Sequence, residues 1–245
     1  MNTPWPRPRS PLYNLTLEES LYRACAPSLL ARYVLLWINH PSVIAGRLNR
    51  DGLDYSCKWA RRLGVPVYRR FTGGGAVYHD HGVLSITLVG AGSTGVERVY
   101  RYGTGLLAQA LSLLGLEPWI ANEGDVAVGD CKVAGSAAHI GGDRFLYHAT
   151  LILDADPGLI GKLTPPRLDK IRGGVDPVKY NPCGLKDLLG ALDYAEVYRA
   201  LESVGLQDGR SLVPLEAAAS LCPGARGLQW RLLAERLGDG YWVPC

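Results

Sequence analysis

Three consecutive glycines, Gly73, Gly74 and Gly75, stand in the segment YRRFTGGGAVYHDHG, residues 68–82. A glycine inside a helix or strand costs roughly 0.5–1 kcal/mol relative to alanine, so a run of three ends whatever element precedes it. The apolar stretch at 65–70 therefore reads as a strand that stops at the glycines. With no side chains there, a ligand can approach the backbone, and the amides can converge on anionic oxygens. Arg69 and Arg70 add planar donors for phosphate or carboxylate. A triple glycine taken alone is more often a flexible hairpin turn. The arginines before it and Ala76-Val77-Tyr78-His79-Asp80 after it shift the reading toward a binding loop.

The rest of the pattern divides into strand and helix periods. Residues 33–38 (YVLLWI), 42–45, 83–89 and 145–153 read as strands. Residues 125–133 read as a hairpin turning at Gly129-Asp130. Thr16 and Glu19 have capping-box spacing, which predicts a helix starting at Thr16. Residues 54–63 read as a helix closed by Gly64, and 96–114 as the longest helix, closed by Gly115. From Asp193 the chain turns helical, at 194–204, 216–221 and 229–237. Strands early and mid-chain, with helices flanking and finishing them, predict an α+β fold with a central mixed or antiparallel sheet covered by helices. Residues 173–182, with two glycines and two prolines, are the best loop candidate. No linker forces a boundary, so residues 1–245 are expected to form a single domain.

Composition excludes several classes. The chain has 245 residues, 47% of them hydrophobic, enough for a large core. Its net charge of +3 is too small, and too little interleaved with aromatics, to argue for nucleic acid. No apolar stretch nears the roughly 20 residues of a membrane helix. The proline-bearing N-terminus has no signal-peptide core. A soluble cytoplasmic protein is expected. Six cysteines, at 25, 57, 131, 183, 222 and 245, form no C-x-x-C pair and no zinc spacing, and sequence alone supplies no disulfide framework.

The segment RRFTGGGAVYHD resembles the RRxTGGGAVxHD signature of lipoate-protein ligases, within the biotin/lipoate ligase superfamily. The family usually has Gly-Asn after the aspartate region, whereas here Gly82 is followed by Val83. Two further segments are similar to the family. GDVAVGDCKVAGSA, residues 124–137, resembles its strand-turn-strand with the central catalytic lysine, which falls on Lys132. A lone lysine on a hairpin is usually a solvated charge, but Val133, Ala134 and Gly135 are small or apolar, so this ammonium can be enclosed and stabilise developing negative charge. Tyr147-His148-Ala149-Thr150 resembles the family strand whose small residue leaves room for an acyl group. A buried, hydrogen-bonded structural histidine is an equal reading of His148.

The resemblance is clear over residues 14–160 and implies a biotin/lipoate-ligase-like catalytic domain with a helical C-terminal part at 193–240. It also implies ATP, magnesium and activation of lipoate or octanoate as the acyl-adenylate, followed by transfer to a lysine of a lipoyl domain. That acceptor would belong to a 2-oxoacid dehydrogenase complex or be the glycine cleavage H protein. Arg70 would contact phosphate. Gly73, Gly74, Gly75, Ala76, Val77, Tyr78 and His79, with Gly135, Ser136, His148 and Ala149, would line the nucleotide and acyl site. Asp125 is the candidate on the magnesium side, because a hard cation prefers carboxylate oxygen. The chain ends before the small C-terminal domain of many such ligases, which resembles the archaeal arrangement and implies a separate accessory subunit. Asn181-Pro182-Cys183-Gly184, however, is similar to the P-C-G motif of octanoyltransferases of the same superfamily. There the cysteine carries the acyl chain as a thioester, and a nearby ammonium would favour its thiolate. Cys183 and Lys132 could therefore form a dyad that uses no ATP. An idle loop cysteine is the alternative. Cys131, on the opposite face of its strand from Lys132, is expected to lie outside the site.

Overall fold

A computed structural model describes residues 5–92, 95–239 and 242–245. In chain order the first elements are β1 (Pro8–Arg9), α1 (Pro11–Ala24), α2 (Pro27–Leu30), β2 (Tyr33–Asn39), β3 (Ser42–Ala45), α3 (Cys57–Leu63), β4 (Val67–Arg69), β5 (Val77–His79) and β6 (Val83–Ala91). Then follow α4 (Val96–Leu113), β7 (Pro118–Ala121), β8 (Asp125–Val128), β9 (Cys131–Gly141), β10 (Arg144–Ile152), α5 (Pro157–Leu163), α6 (Leu168–Arg172) and a 3₁₀ turn at Pro177–Tyr180. The chain finishes with α7 (Leu185–Leu189), α8 (Tyr194–Gln207), β11 (Ser211–Pro214), α9 (Leu215–Leu221), α10 (Pro223–Asp239) and β12 (Trp242–Val243).

The expected α+β arrangement is present. An eight-stranded mixed sheet runs β1-β2-β6-β10-β9-β8-β7, with β11 also paired to β2. A second sheet, β12-β4-β3-β5, lies beside it. Alternation along the strands gives the large sheet two different faces. Leu36, Ile38, Leu84, Ile86 and Tyr147 on one face pack with Val99 and Leu107 of α4 and Val197 and Leu201 of α8. Leu35, Trp37 and Val89 on the other pack with Leu15, Leu17 and Leu21 of α1 and with Ile44 of the small sheet. That second face, between the two sheets, holds the cavity described below.

The first helix starts at Pro11, not Thr16. Ser10 precedes it and proline occupies the first turn, where its missing N–H costs nothing. Thr16 Oγ1 donates to Leu12 O one turn back, and Glu19 pairs with Arg23, so the two are mid-helix residues and not a capping box. The helix predicted at 54–63 begins only at Cys57, because Ser56 caps it by accepting from the Trp59 amide. The loop predicted at 173–182 contains the 3₁₀ turn, capped by Asp176.

All six cysteines are paired: Cys25–Cys222, Cys57–Cys245 and Cys131–Cys183. The scattered positions gave no hint of this because the partners lie 197, 188 and 52 residues apart in sequence. Among the described residues no helix is long and apolar enough to cross a membrane.

Candidate active site

Lys132 and Asp125 come together through the β8–β9 hairpin. Gly129 turns it with φ of 54°, a left-handed conformation that glycine adopts without strain. The register then shifts between Val126 and Ala127, where Val126 pairs with Ala134 but Ala127 with Lys132. A bulge of this kind re-aims side chains. Lys132 lies back across Gly135, and its Nζ reaches Asp125 Oδ1 at 2.8 Å. A Cβ on Gly135 would meet that Nζ at 2.7 Å and the Lys132 Cε at 2.8 Å. The lysine position therefore requires this glycine.

The other oxygen of Asp125 accepts from Lys179 Nζ at 3.2 Å and from Asn122 Nδ2 at 3.3 Å. Burial lowers the Lys132 ammonium from its ordinary range, opposed by the attraction of Asp125. Burial alone would raise Asp125, but the two lysines outweigh it and hold the carboxyl below its usual range. Both oxygens of Asp125, the candidate on the magnesium side, serve ammonium and amide donors here. Among the described residues no group of three or more His, Cys, Asp or Glu could hold a metal ion. One carboxylate already shared by two ammonium groups does not fit a protein-held magnesium.

The glycine loop is shaped from beneath by Arg70, which is buried. Its guanidinium donates to Ile44 O at 3.1 Å, Gly73 O at 2.5 Å, Gly75 O at 2.8 Å and Thr72 Oγ1 at 3.0 Å. With so many donors turned to carbonyls, its observed work is to bend the loop; burial lowers it to about 10. Gly74 has φ of 87°, and a Cβ there would meet both Ala137 Cβ and Arg70 Nη2 at 2.8 Å.

A polar chain continues inward. Thr72 Oγ1 accepts from Arg70 and lies 3.0 Å from His148 Nε2, and His148 Nδ1 lies 3.1 Å from Glu18 Oε1. Glu18, fully buried, also accepts from Thr87 Oγ1 at 2.6 Å. His79 is held similarly: Asn39 Nδ2 lies 3.1 Å from its Nδ1, and Asn39 Oδ1 accepts from Asn14. Burial, then Arg70 and His148, push His79 down to about 3, so it is neutral.

Three cavities meet at this centre. The inner one, about 590 Å³, lies on one row across the sheet. Trp37 pairs with Ser85, Ser85 with Thr150, Thr150 with Gly135, and Gly135 with Asp125. All five residues line it, together with Val77 and His79 from the small sheet and His148 and Ala149. A side cavity of about 840 Å³ adds Tyr78, Tyr180 and Pro182, and an outer one of about 1020 Å³ adds Gly73, Gly74, Asn49 and Asn122. Gly75 and Lys179 border all three. Every predicted lining residue thus borders one of these cavities.

Cys183 requires a correction. Its loop does cover Lys132: the Lys132 amide donates to Asn181 O at 2.8 Å, and the Cys183 amide to Lys132 O at 3.0 Å. The Cys183 sulfur, however, is bonded to Cys131. Cys131 projects from the opposite face of its strand to Lys132, so this sulfur is neither free nor beside the ammonium. Sequence reasoning missed Lys179, Asn122, Glu18, Thr72, Trp37 and Ser85. Two of these carried a signal: Thr72 is a letter of the glycine-loop signature, and asparagine, as at Asn122, is among the few residues that tolerate the left-handed conformation it adopts, with φ of 50°.

The fold is shared with lipoate-protein ligases of known structure. The bi-partite lipoate protein ligase of Thermoplasma acidophilum, described with its E2 lipoyl domain, superposes with a TM-score of 0.75 at 20% identity, over 96% of this chain and 92% of that one. A lipoate-protein ligase A bound with ATP superposes with a TM-score of 0.76 at 19% identity, over 95% and 93%. An Aeropyrum pernix protein named "Putative lipoate-protein ligase A" is 41% identical over 192 residues, 78% of this chain and 72% of that protein. Residues 10–204 match the family model of the lipoyl protein ligase A/B catalytic domain. The chain belongs to that family of enzymes, and its 41% identical relative lies on the ligase side of it.

Proposed function

We propose that the protein is a lipoate-protein ligase that activates lipoate or octanoate with ATP and transfers the acyl group to a lysine of a lipoyl domain. The observation that carries this reading is the net positive centre, two ammonium groups on one carboxylate, at the junction of the three cavities. Such a centre suits an acyl-phosphate, with the apolar chain along the inner row and the phosphates toward the glycine loop. Gly73, Gly74 and Gly75 leave the backbone open there, which fits a nucleotide triphosphate.

In the first step the acyl carboxylate oxygen attacks the α-phosphorus. The bond to the β-phosphate breaks, and pyrophosphate leaves with the electron pair. Lys132 stabilises the charge that develops on the α-phosphate, already positioned by Asp125 and Gly135. In the second step the acceptor lysine, entering as the free amine, attacks the acyl carbon. AMP leaves, and the amine proton passes to solvent. Lys132 again faces the oxygen that gains charge. Catalysis of this kind is positioning plus electrostatics.

The transferase reading is not favoured, because its nucleophile is closed in a disulfide. The acceptor, a lipoyl domain of a 2-oxoacid dehydrogenase or an H protein, belongs to the proposal, as does a second polypeptide like that of the bi-partite neighbour. So does a cytoplasmic location, although three disulfides restrict the setting. Intracellular proteins of hyperthermophiles are one in which such bonds persist.

The test is intact-mass measurement of an apo lipoyl domain after incubation with octanoate or lipoate, with and without ATP and magnesium chloride. A parallel arm offers octanoyl-carrier protein without nucleotide. Modification only with ATP establishes the ligase. Modification from the thioester alone would replace it with the transferase.

A further inference from the structure

We propose that Lys179 is a second catalytic lysine, whose ammonium contacts the acyl-phosphate in both half-reactions. This rests on the ligase reading and adds to it a residue supplied by the segment at 173–183.

The placement is specific. Lys179 Nζ sits 3.2 Å from the same carboxylate that Lys132 holds, and its side chain remains 27% exposed, so the ammonium is tethered without being enclosed. With Gly75 it borders the acyl, side and phosphate cavities together. A group there faces the atom at which acyl chain, phosphate and incoming amine must meet.

The charge count supports it. Lys132 and Lys179 place two positive charges on the single negative charge of Asp125. An uncompensated positive charge in a largely buried site calls for an anion. One lysine would satisfy Asp125; the second leaves the surplus.

The segment is also anchored as a working part would be. Asn122 donates to Asp176 O at 3.2 Å and accepts from the Asp176 amide at 2.8 Å, fixing the entry to the 3₁₀ turn. Beyond Lys179, Asn181 Nδ2 donates to Asp130 O at 2.6 Å, and the Cys131–Cys183 bond ties the end to the strand beside Lys132. One end of a short segment is thus fastened to the turn before β8 and the other to the hairpin that carries the first lysine.

The experiment compares the full chain with Lys179→Met and Lys179→Arg. Acyl-adenylate formation is followed by pyrophosphate exchange with octanoate, and transfer by acylation of an apo lipoyl domain from synthetic octanoyl-AMP. Lys179→Met is expected to slow both by ~10²-fold, as loss of one preorganised donor does. Lys179→Arg should retain much of the rate, with unfolding temperature and the Cys131–Cys183 bond unchanged in both variants. Loss of the neighbouring charge should also move the alkaline limb of the Lys179→Met rate profile to higher pH, because Lys179 lowers Lys132; the contacting role itself is read from the retained rate of Lys179→Arg. Lys179→Met within about threefold of wild type in both steps, set against the ~10²-fold expected for a contacting donor, would overturn the proposal. So would equal loss in Lys179→Met and Lys179→Arg. If wild type forms no adenylate, the ligase reading fails instead. Calorimetry with inorganic pyrophosphate then still tests the anion site: binding lost in Lys179→Met supports it, and equal binding refutes it.

Discussion

The ammonium of Lys132 lies over the bare backbone of Gly135 to reach Asp125 at 2.8 Å, in space that a Cβ would enter to within 2.7 Å. The obstacle an alanine would meet is the far end of a flexible side chain, so the fold can tolerate the substitution while the lysine cannot keep its place. Gly135→Ala is expected to leave unfolding temperature nearly unchanged and lower adenylation by ~10²-fold. Calorimetry and pyrophosphate exchange on the same preparation check both halves.

Lys132 and Lys179 share the carboxylate of Asp125. Asp125→Asn leaves the partly exposed Lys132 and Lys179 ammonium groups without their counter-charge, a loss expected to cost less than the about 3–5 kcal/mol of a fully buried pair. Lys132, already lowered by burial, would be lowered further. If its cation is the working form, activity falls at high pH as it deprotonates, and the variant's alkaline limb should lie below that of wild type. On the acid side the Asp125 carboxyl is held below its usual range when folded. Its contribution to stability is then complete at neutral pH and lost as pH falls through that lowered value. Denaturation midpoints of wild type and Asp125→Asn should stay apart from neutral pH down to ~4, where an unperturbed aspartate titrates, and converge only below it as acid removes the folded-state charge.

The glycine loop, the hairpin that carries Lys132 and the α+β class were legible because each is written locally: three glycines, a Gly-Asp turn, strand and helix periods. What was not legible is what the tertiary fold assembles. Glu18 reads as one acid in a helix, yet folding buries it under His148 and Thr87 from strands far away in the chain. Lys179 lies in a stretch whose glycines and prolines say only loop, and its meaning comes from Asn122 and Asp125, more than 50 residues earlier. Cys183 shows the opposite failure. Its local motif is informative and its partner is not, because pairing with Cys131 depends on the loop crossing Lys132.

Cys183→Ser separates these roles. A closing bond over 52 residues is expected to contribute about 2–4 kcal/mol by restricting the unfolded chain. The variant should unfold at a lower temperature but keep ATP-dependent acylation, at a reduced rate because the segment bearing Lys179 is less firmly held. Complete loss of acylation in a folded Cys183→Ser protein would return the cysteine to the chemistry.

The inner cavity also predicts how chain length is read. Between Asp125 and Ser85 lie three strand spacings along one row, ~14 Å at 4.7–4.9 Å each. An acyl chain activated beside Lys132 and running along that row ends at Ser85, Trp37 and His79. Trp37 closes the far end, its indole N–H donating to Thr87 Oγ1 at 2.9 Å. Ser85, small and fully buried, sets the free space in front of it. Ser85→Leu fills that space with apolar atoms and should raise KM for octanoate and lipoate far more than for butanoate or hexanoate, with kcat for the short acids nearly unchanged. Kinetics over the acid series would show the preference moving to shorter chains. A uniform loss for every length would place the chain elsewhere in the cleft.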